Sequence, residues 1–116
     1  MSTLNNCTLT GHSAIDGGGA NNSTLNNCTL IGNSARWEGG GACGGEMEAY
    51  CTLNNCILYD NTANVGPNYH TNSTLNYCCT TPAPAGGSGH VTTEPQLASA
   101  SHLSASSPCR GAGSAA

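Results

Sequence analysis

One six-residue motif occurs four times along the chain, and its spacing restricts the fold more than any other feature. The motif is Ser-Thr-Leu-Asn-Asn-Cys with small variations, and its copies are residues 2–7, 23–28, 51–56 and 73–78. Successive copies begin 21, 28 and 22 residues apart. A near-constant period of this length is typical of stacked structural repeats, in which each unit packs only against its neighbours.

Within each unit, short alternating stretches indicate β-strands separated by sharp bends. In the first unit, Leu4 alternates with polar neighbours, and the Asn5-Asn6 pair follows it. That pair predicts a bend, because asparagine tolerates the left-handed backbone region better than other non-glycine residues. Residues 10–16 are interpreted as a polar turn, and residues 17–20 as a third short extended piece. Three short strands per unit, without a helical period, predict one coil of a parallel β-helix.

Stacked coils place equivalent residues of successive units about 4.8 Å apart, in ladders. We expect leucine and cysteine ladders inside the coil, an asparagine ladder at the bends, and a further polar ladder at the turns. Their predicted members are Leu4, Leu25, Leu53 and Leu75; Cys7, Cys28, Cys56 and Cys78; Asn5, Asn26, Asn54 and Asn76; and His12, Asn33 and Asn61. Because aromatic residues make up only 4% of the chain, the interior must be narrow.

The repeats divide the chain into two predicted parts. Residues 1–79 are expected to form the β-helix coils, and residues 80–116 a last irregular coil with a C-terminal tail. The extra residues of the longest interval predict an insertion loop over 43–51, since insertions in repeat proteins lie in loops on one face.

The charge pattern argues against several classes of function. The net charge is −4, and Arg36 and Arg110 are the only lysine or arginine residues, so we predict no nucleic-acid binding, which requires cations to neutralise phosphates. No apolar run approaches the roughly 20 residues of a membrane span. Met1 is followed directly by a repeat, without the basic and apolar regions of a signal peptide, so we expect either a cytosolic protein or the tail of a longer one. The start in the middle of a repeat favours the tail.

The units resemble the right-handed parallel β-helices of large bacterial surface and secreted proteins, of the polymorphic outer-membrane-protein-like and pectate-lyase-like types. The resemblance is carried by Leu-Asn-Asn-Cys-Thr-Leu, Gly-Asn-Ser-Ala and Gly-Gly-Gly-Ala, and near the C-terminus by Glu94-Pro95-Gln96-Leu97, His102-Leu103, Ser107-Pro108-Cys109 and Ala112-Gly113. Where the family form usually has an acidic residue before the final Ala-Gly, this chain has Gly111. The resemblance implies an all-β, right-handed parallel β-helix (solenoid) of about four to five coils of 21–22 residues, at the cell surface or outside the cell.

Two functions are compatible with this resemblance, because the same fold serves enzymes and binding proteins. The first is a structural or adhesive scaffold segment that contacts carbohydrate. The alternative is a fragment of a polysaccharide lyase or glycoside hydrolase whose active site lies in coils absent from this chain. We predict no catalytic residue, cofactor or metal ligand in this chain. Its first coil lacks a cap, so we also expect contact with upstream coils or end-to-end self-association.

One cluster stands out as a candidate ligand contact. Trp37 can stack on a sugar, and it lies between Arg36 and Glu38. Asp16 and Glu38 each precede a glycine in corresponding turns, so the two carboxylates are expected one coil apart. Glycoside hydrolysis uses two carboxylates about 5 to 10 Å apart. The four residues Asp16, Arg36, Trp37 and Glu38 are therefore the predicted contact site, with solvated turn residues as the alternative interpretation.

Four of the eight cysteines lie outside the ladder position. Cys43 and Cys51 flank the insertion, and Cys79 and Cys109 lie in the terminal region. Either pair could form a disulfide in an oxidising compartment. Cys51 has a second interpretation, because it occupies the inward serine position of the other motif copies.

Overall fold

A computed structural model describes residues 2–42, 50–70, 73–82, 87, 89–92, 95–99, 102–103, 107 and 109. The described part of the chain is an all-β parallel solenoid of about three turns, without a helix. Its strands are β1 (Ser2–Asn5), β2 (Thr8–Thr10), β3 (Ser13–Asp16), β4 (Ser23–Asn26), β5 (Thr29–Ile31), β6 (Ser34–Glu38), β7 (Cys51–Asn54), β8 (Ile57–Tyr59), β9 (Ser73–Asn76), β10 (Leu97–Ser99) and β11 (His102–Leu103).

Three parallel sheets form the sides of the solenoid. The first sheet has the order β1-β4-β7-β9, the second β2-β5-β8, and the third β3-β6. Leu4 pairs with Leu25, Leu25 with Leu53, and Leu53 with Leu75, so every motif copy lies in register with the next. The predicted leucine ladder and the parallel stacking are therefore confirmed.

Left-handed residues form the corners between the sheets. Asn6, Asn27 and Asn55 have φ of 57°, 57° and 55°, which confirms the bend predicted from the asparagine pair. The sequence interpretation did not include two further corners, although both use residues suited to this region. The second corner consists of Gly11, Gly32 and Asp60, and the third of Gly17, Gly39 and Gly66, all with positive φ. Each coil is thus three-sided.

Leucine and cysteine fill the interior. The ladder leucines Leu25 and Leu53 are fully buried, and the ladder cysteines Cys28, Cys56 and Cys78 are each 1% exposed. Thiols of this kind pack as small hydrophobic groups. The predicted narrow core and the inward cysteine ladder are both confirmed.

Asparagine side chains connect the coils in two ladders. In the first ladder, each amide nitrogen donates to the amide oxygen of the preceding coil, at 2.9 Å for Asn26 to Asn5, 3.0 Å for Asn54 to Asn26 and 3.1 Å for Asn76 to Asn54. The second ladder is buried, and the backbone N–H of His12 begins it by donating to Asn33 Oδ1 at 3.0 Å.

The buried ladder continues beyond the predicted members. Asn33 donates its backbone N–H to Asn61 Oδ1 at 2.9 Å, and Asn61 donates its own to Asn68 Oδ1 at 3.2 Å. The amide nitrogens of Asn33 and Asn61 donate to the carbonyl oxygens of Leu9 and Leu30, each at 2.9 Å. Because a buried polar group requires a partner, these bonds position each coil on the previous one.

The third side differs from its sequence-based interpretation. Residues 10–16 and, in the second unit, residues 33–35 were expected to be turns, but residues 13–16 form β3 and residues 34–38 form β6. Residues 17–20 were expected to be the third strand. Their backbone N–H groups bond to the next coil, yet only Ala20 makes a β-bridge, to Ala42. Glycine has no side chain to pack on a sheet, so the side-chain-bearing Ser-Ala segments form the strand instead.

The predictions for the insertion loop and for the terminal part concern residues that lie partly outside the described ranges. Most of the insertion loop, 43–49, lies outside the described residues, and Cys51 begins β7 rather than closing a loop. In the terminal part, Val91 bridges Cys79 in parallel, and β10 and β11 form an antiparallel pair. The right-handed sense, the count of four to five coils and the boundary at residue 80 stay predictions.

Candidate functional site

The third sheet holds the predicted contact residues, and an irregularity in its pairing exposes them. Ala14 pairs with Ala35 and Asp16 with Glu38, so one residue of β3 faces two residues of β6. Such a bulge bends the strand and redirects its side chains. Here Ile15 is the single residue, and Arg36 and Trp37 are the two opposite it.

Arg36 and Trp37 form a cation–π pair on this side. The guanidinium carbon of Arg36 lies 5.4 Å from the centroid of the Trp37 ring. Arg36 is exposed, and 52% of Trp37 is exposed as well. An exposed cation–π contact contributes about 0.5–1 kcal/mol, so the guanidinium favours this orientation of the indole while the ring faces solvent.

Trp37 belongs to a larger exposed apolar surface. Ile15, Trp37 and Val65 lie on three consecutive coils and are 64%, 52% and 52% exposed. The Val65 N–H donates to the Trp37 carbonyl oxygen at 2.9 Å, and Val65 bridges Glu38 in parallel, so Val65 and Trp37 lie on adjacent coils of the same side. We name Ile15, Trp37 and Val65 the apolar strip. Three exposed apolar side chains on one side of a small solenoid indicate a contact surface.

Carboxylates border the strip. Asp16 and Glu38 are paired in register, which confirms that they lie in corresponding positions of adjacent coils. The Glu38 carboxylate contacts the third coil, since its Oε2 lies 3.4 Å from Nε2 of His70. The strip is therefore flanked by a cation, Arg36, and by two carboxylates, which are hydrogen-bond acceptors for hydroxyl groups.

This arrangement suits binding by stacking and hydrogen bonds. Aromatic and aliphatic side chains provide contact area for the C–H face of a sugar ring, and carboxylates and guanidinium groups bond its hydroxyls. Asp16 and Glu38 lie on neighbouring strands, whose spacing of about 4.8 Å is near that of the carboxylates in retaining glycosidases. Within the described ranges, no group of three or more His, Cys, Asp or Glu side chains could hold a metal ion.

The predicted contact residues Asp16, Arg36, Trp37 and Glu38 all lie on β3 and β6, whereas Ile15, Val65 and His70 were not part of that prediction. In the sequence, Ile15 is a single large apolar residue in a stretch of small and polar residues, and this was the signal that could have indicated the strip. The relation between Ile15 and Trp37 was missed because the bulge shifts the register by one residue. Trp37 follows Ile15 by 22 residues, whereas the paired residues Ala14 and Ala35 are 21 residues apart in the sequence.

The two disulfide predictions are not tested. Cys43 lies outside the described residues, and Cys51 is a buried member of the core at the start of β7. Cys79 is buried, and its backbone bridges Ile57 and Val91. Cys109 is half-buried, and its backbone N–H donates to Ser107 Oγ at 3.1 Å. Both pairs, Cys43–Cys51 and Cys79–Cys109, stay predictions.

Comparisons with protein-family models, with curated proteins and with solved structures give no match for this chain. No helix in the described part is long and apolar enough to cross a membrane.

Proposed function

We propose that the chain is a structural or adhesive β-helix scaffold segment of a bacterial surface or secreted protein, and that its third side contacts carbohydrate. The observation that carries this proposal is the apolar strip, in which Trp37 is half-exposed beside the Arg36 guanidinium, on the side of the solenoid that also holds the register pair Asp16 and Glu38. The bacterial surface and the extracellular location follow from the resemblance of the repeat motifs and belong to the proposal.

The scaffold role is supported by the way the coils are held together. Most core side chains of the second and third coils are almost fully buried, and both asparagine ladders bond each coil to the next. Backbone and side-chain bonds repeated at every coil produce a stiff rod, because each coil is restrained on its full perimeter. A stiff rod that carries exposed contact residues on one side suits the display of a binding surface better than catalysis, which takes place in a concave pocket.

The carbohydrate contact leads to a direct prediction. Trp37→Ala is expected to weaken binding of a recognised oligosaccharide by about tenfold, equivalent to about 1.4 kcal/mol. The loss follows from removal of the stacking surface, while the fold is kept because Trp37 is half-exposed. Binding is measured by isothermal titration calorimetry with hexasaccharides of glucose, xylose and galacturonate.

Tyr50→Ala is the matched control, because Tyr50 is 56% exposed but lies outside the strip. We expect this variant to bind as the unchanged chain does. Equal weakening by both substitutions would contradict the assignment of the strip, and absence of binding to all three hexasaccharides would contradict the carbohydrate contact itself.

The lyase or hydrolase fragment, whose active site would lie in absent coils, also predicts no activity for this chain, whereas a catalytic site on the chain itself makes the opposite prediction. The register pairing of Asp16 with Glu38 is the observation that favours it. Under the scaffold proposal, this chain releases no reducing ends or unsaturated products from the same three hexasaccharides. Release that is lost in Asp16→Asn and Glu38→Gln would replace the scaffold proposal with the enzymatic one.

End-to-end association is the remaining partner prediction, and the first coil supports it. Leu4, Cys7 and Leu9 are only half-buried, whereas Leu25 and Leu30 are 0% exposed. β1, β2 and β3 are also edge strands of their sheets, and such edges recruit further strands. We expect sedimentation velocity to show growth from monomer to larger species between about 1 and 100 µM, following mass action.

Leu4→Lys is expected to suppress this association, because it places a charge at the open end of the core. A monomer over the whole concentration range, identical for the unchanged chain and for Leu4→Lys, would show that the first coil does not dock.

A further inference from the structure

Three residues form a column in register on the third side, and two of them are carboxylates. Asp16 pairs with Glu38, and Glu38 bridges Val65 in parallel, so the three residues occupy one position on consecutive coils. Side chains at paired positions of a sheet point to the same face. Because Val65 is 52% exposed, that face is the outer one. Asp16 and Glu38 therefore lie on the face that a ligand of the apolar strip covers.

The two carboxylates act together on such a ligand. Asp16 is half-buried and the Glu38 side chain is 29% exposed, so both remain in contact with solvent. Neighbouring strands are about 4.8 Å apart, which is less than the Debye length of about 8 Å at physiological ionic strength. His70 contacts Glu38 from the third coil, but its imidazole adds a positive charge only when it is protonated.

The positive charge on this face is smaller. Arg36 is the only lysine or arginine in the described part of the chain, and its guanidinium carbon lies 5.4 Å from the centre of the Trp37 ring. One cation thus stands against two carboxylates, and the whole chain has a net charge of −4. A polyuronate carries a carboxylate on every ring, so a single guanidinium cannot pair with all of them. The remaining ligand carboxylates meet a face of their own sign.

We propose that the third side takes uncharged glycans, such as glucans and xylans, and excludes polyuronates. Neutral rings keep both interactions that this face provides, because they stack on the apolar strip and donate hydroxyl hydrogen bonds to the two carboxylates. A uronate ring can also stack, but it brings a negative charge next to Asp16 and Glu38, and such juxtaposition of like charges is unfavourable. This inference rests on the proposed carbohydrate contact and names the class of sugar that the contact takes.

The test compares the glucose and galacturonate hexasaccharides by isothermal titration calorimetry, with a calcium chelator present. The titrations are made at about pH 8, where an ordinary imidazole is neutral. At physiological ionic strength, we expect the galacturonate hexamer to bind at least about tenfold more weakly than the glucose hexamer. The difference should shrink at about 1 M salt, because the Debye length there is only about 3 Å.

Glu38→Gln and Asp60→Asn form a matched pair of variants, because each removes one carboxylate. Glu38 lies in the register column, whereas Asp60 is an exposed corner residue with φ of 54°, which asparagine tolerates. Glu38→Gln is expected to tighten binding of the galacturonate hexamer by about threefold, as for other exposed charge pairs. It should leave glucose binding nearly unchanged, because an amide still bonds hydroxyl groups. Asp60→Asn should change neither affinity.

Three results would each overturn the inference while the carbohydrate contact stands. They are galacturonate binding as tight as glucose binding, an equal effect of the two substitutions, and galacturonate binding that appears when calcium replaces the chelator. In the last case, the ion would bridge the uronate and the carboxylates of Asp16 and Glu38. Failure of every hexasaccharide to bind would overturn the carbohydrate contact and this inference with it.

Discussion

Cys28→Asp is expected to unfold the chain. The side chain is 1% exposed, lies between the thiols of neighbouring coils, and packs in a core that includes Leu25 and Leu30. A buried carboxylate without a cationic partner costs several kcal/mol, and a domain of this kind has only about 5–15 kcal/mol of stability in total. The described core offers leucine, cysteine and alanine as neighbours and no cation. The measurement is the far-ultraviolet circular dichroism spectrum, with urea unfolding for any variant that retains structure.

Thr24→Asp provides the comparison at the same coil. Thr24 lies in β4, next to the inward Leu25, and it is only half-buried in a threonine ladder between Thr3 and Thr52. An aspartate there stays hydrated, so we expect a loss below about 1 kcal/mol. Similar unfolding midpoints for Cys28→Asp and Thr24→Asp would contradict the inward orientation of the cysteine ladder.

The ladders could be predicted from the sequence because stacking repeats the same chemistry at every coil. Identical residues such as Asn26 and Asn54 occupy one position in each motif copy, and an amide can both donate to and accept from its equivalents. The motif alone therefore predicts the register, the inward leucines and the asparagine bends. Asn68 continues the buried ladder but was not predicted as a member of it, because it is seven residues from Asn61 in the chain and so lies outside the repeat spacing.

The third side could not be predicted in the same way, because it is where the repeat is least regular. A bulge offsets Trp37 from Ile15 by one residue relative to the rest of the coil, so the apolar strip has no constant period in the sequence. The glycine segments nearby were interpreted as strands. Their role is to bring the backbones of neighbouring coils into contact, and that role depends on the positions of backbone atoms, which the sequence does not show. The candidate site was therefore predicted as a cluster of residue types, and its extent became visible only in the structure.

A substitution in those glycine segments is expected to cause the second large loss of stability: Gly40→Ala should separate the second and third coils. A methyl group on Gly40 would come closer than 3.0 Å to the carbonyl oxygens of Thr62 and Pro67, which are backbone atoms of the next coil. Backbone cannot rotate away as a flexible side chain can, and the Gly40 N–H also donates to the Gly66 carbonyl oxygen at 3.3 Å. We expect a loss of about 3–5 kcal/mol and a fall in Tm of more than about 10 °C, measured by thermal unfolding.

Gly32→Asn separates this steric effect from the conformational preference of glycine. Gly32 has φ of +69°, yet a side chain there would meet nothing within 4 Å. Asp60 occupies the same corner one coil later with φ of 54°, so the corner accepts a side chain that tolerates the left-handed region. The expected cost is below about 1 kcal/mol. A greater loss in Gly32→Asn than in Gly40→Ala would mean that corner conformation, and not the close approach of glycine backbones, holds the coils together.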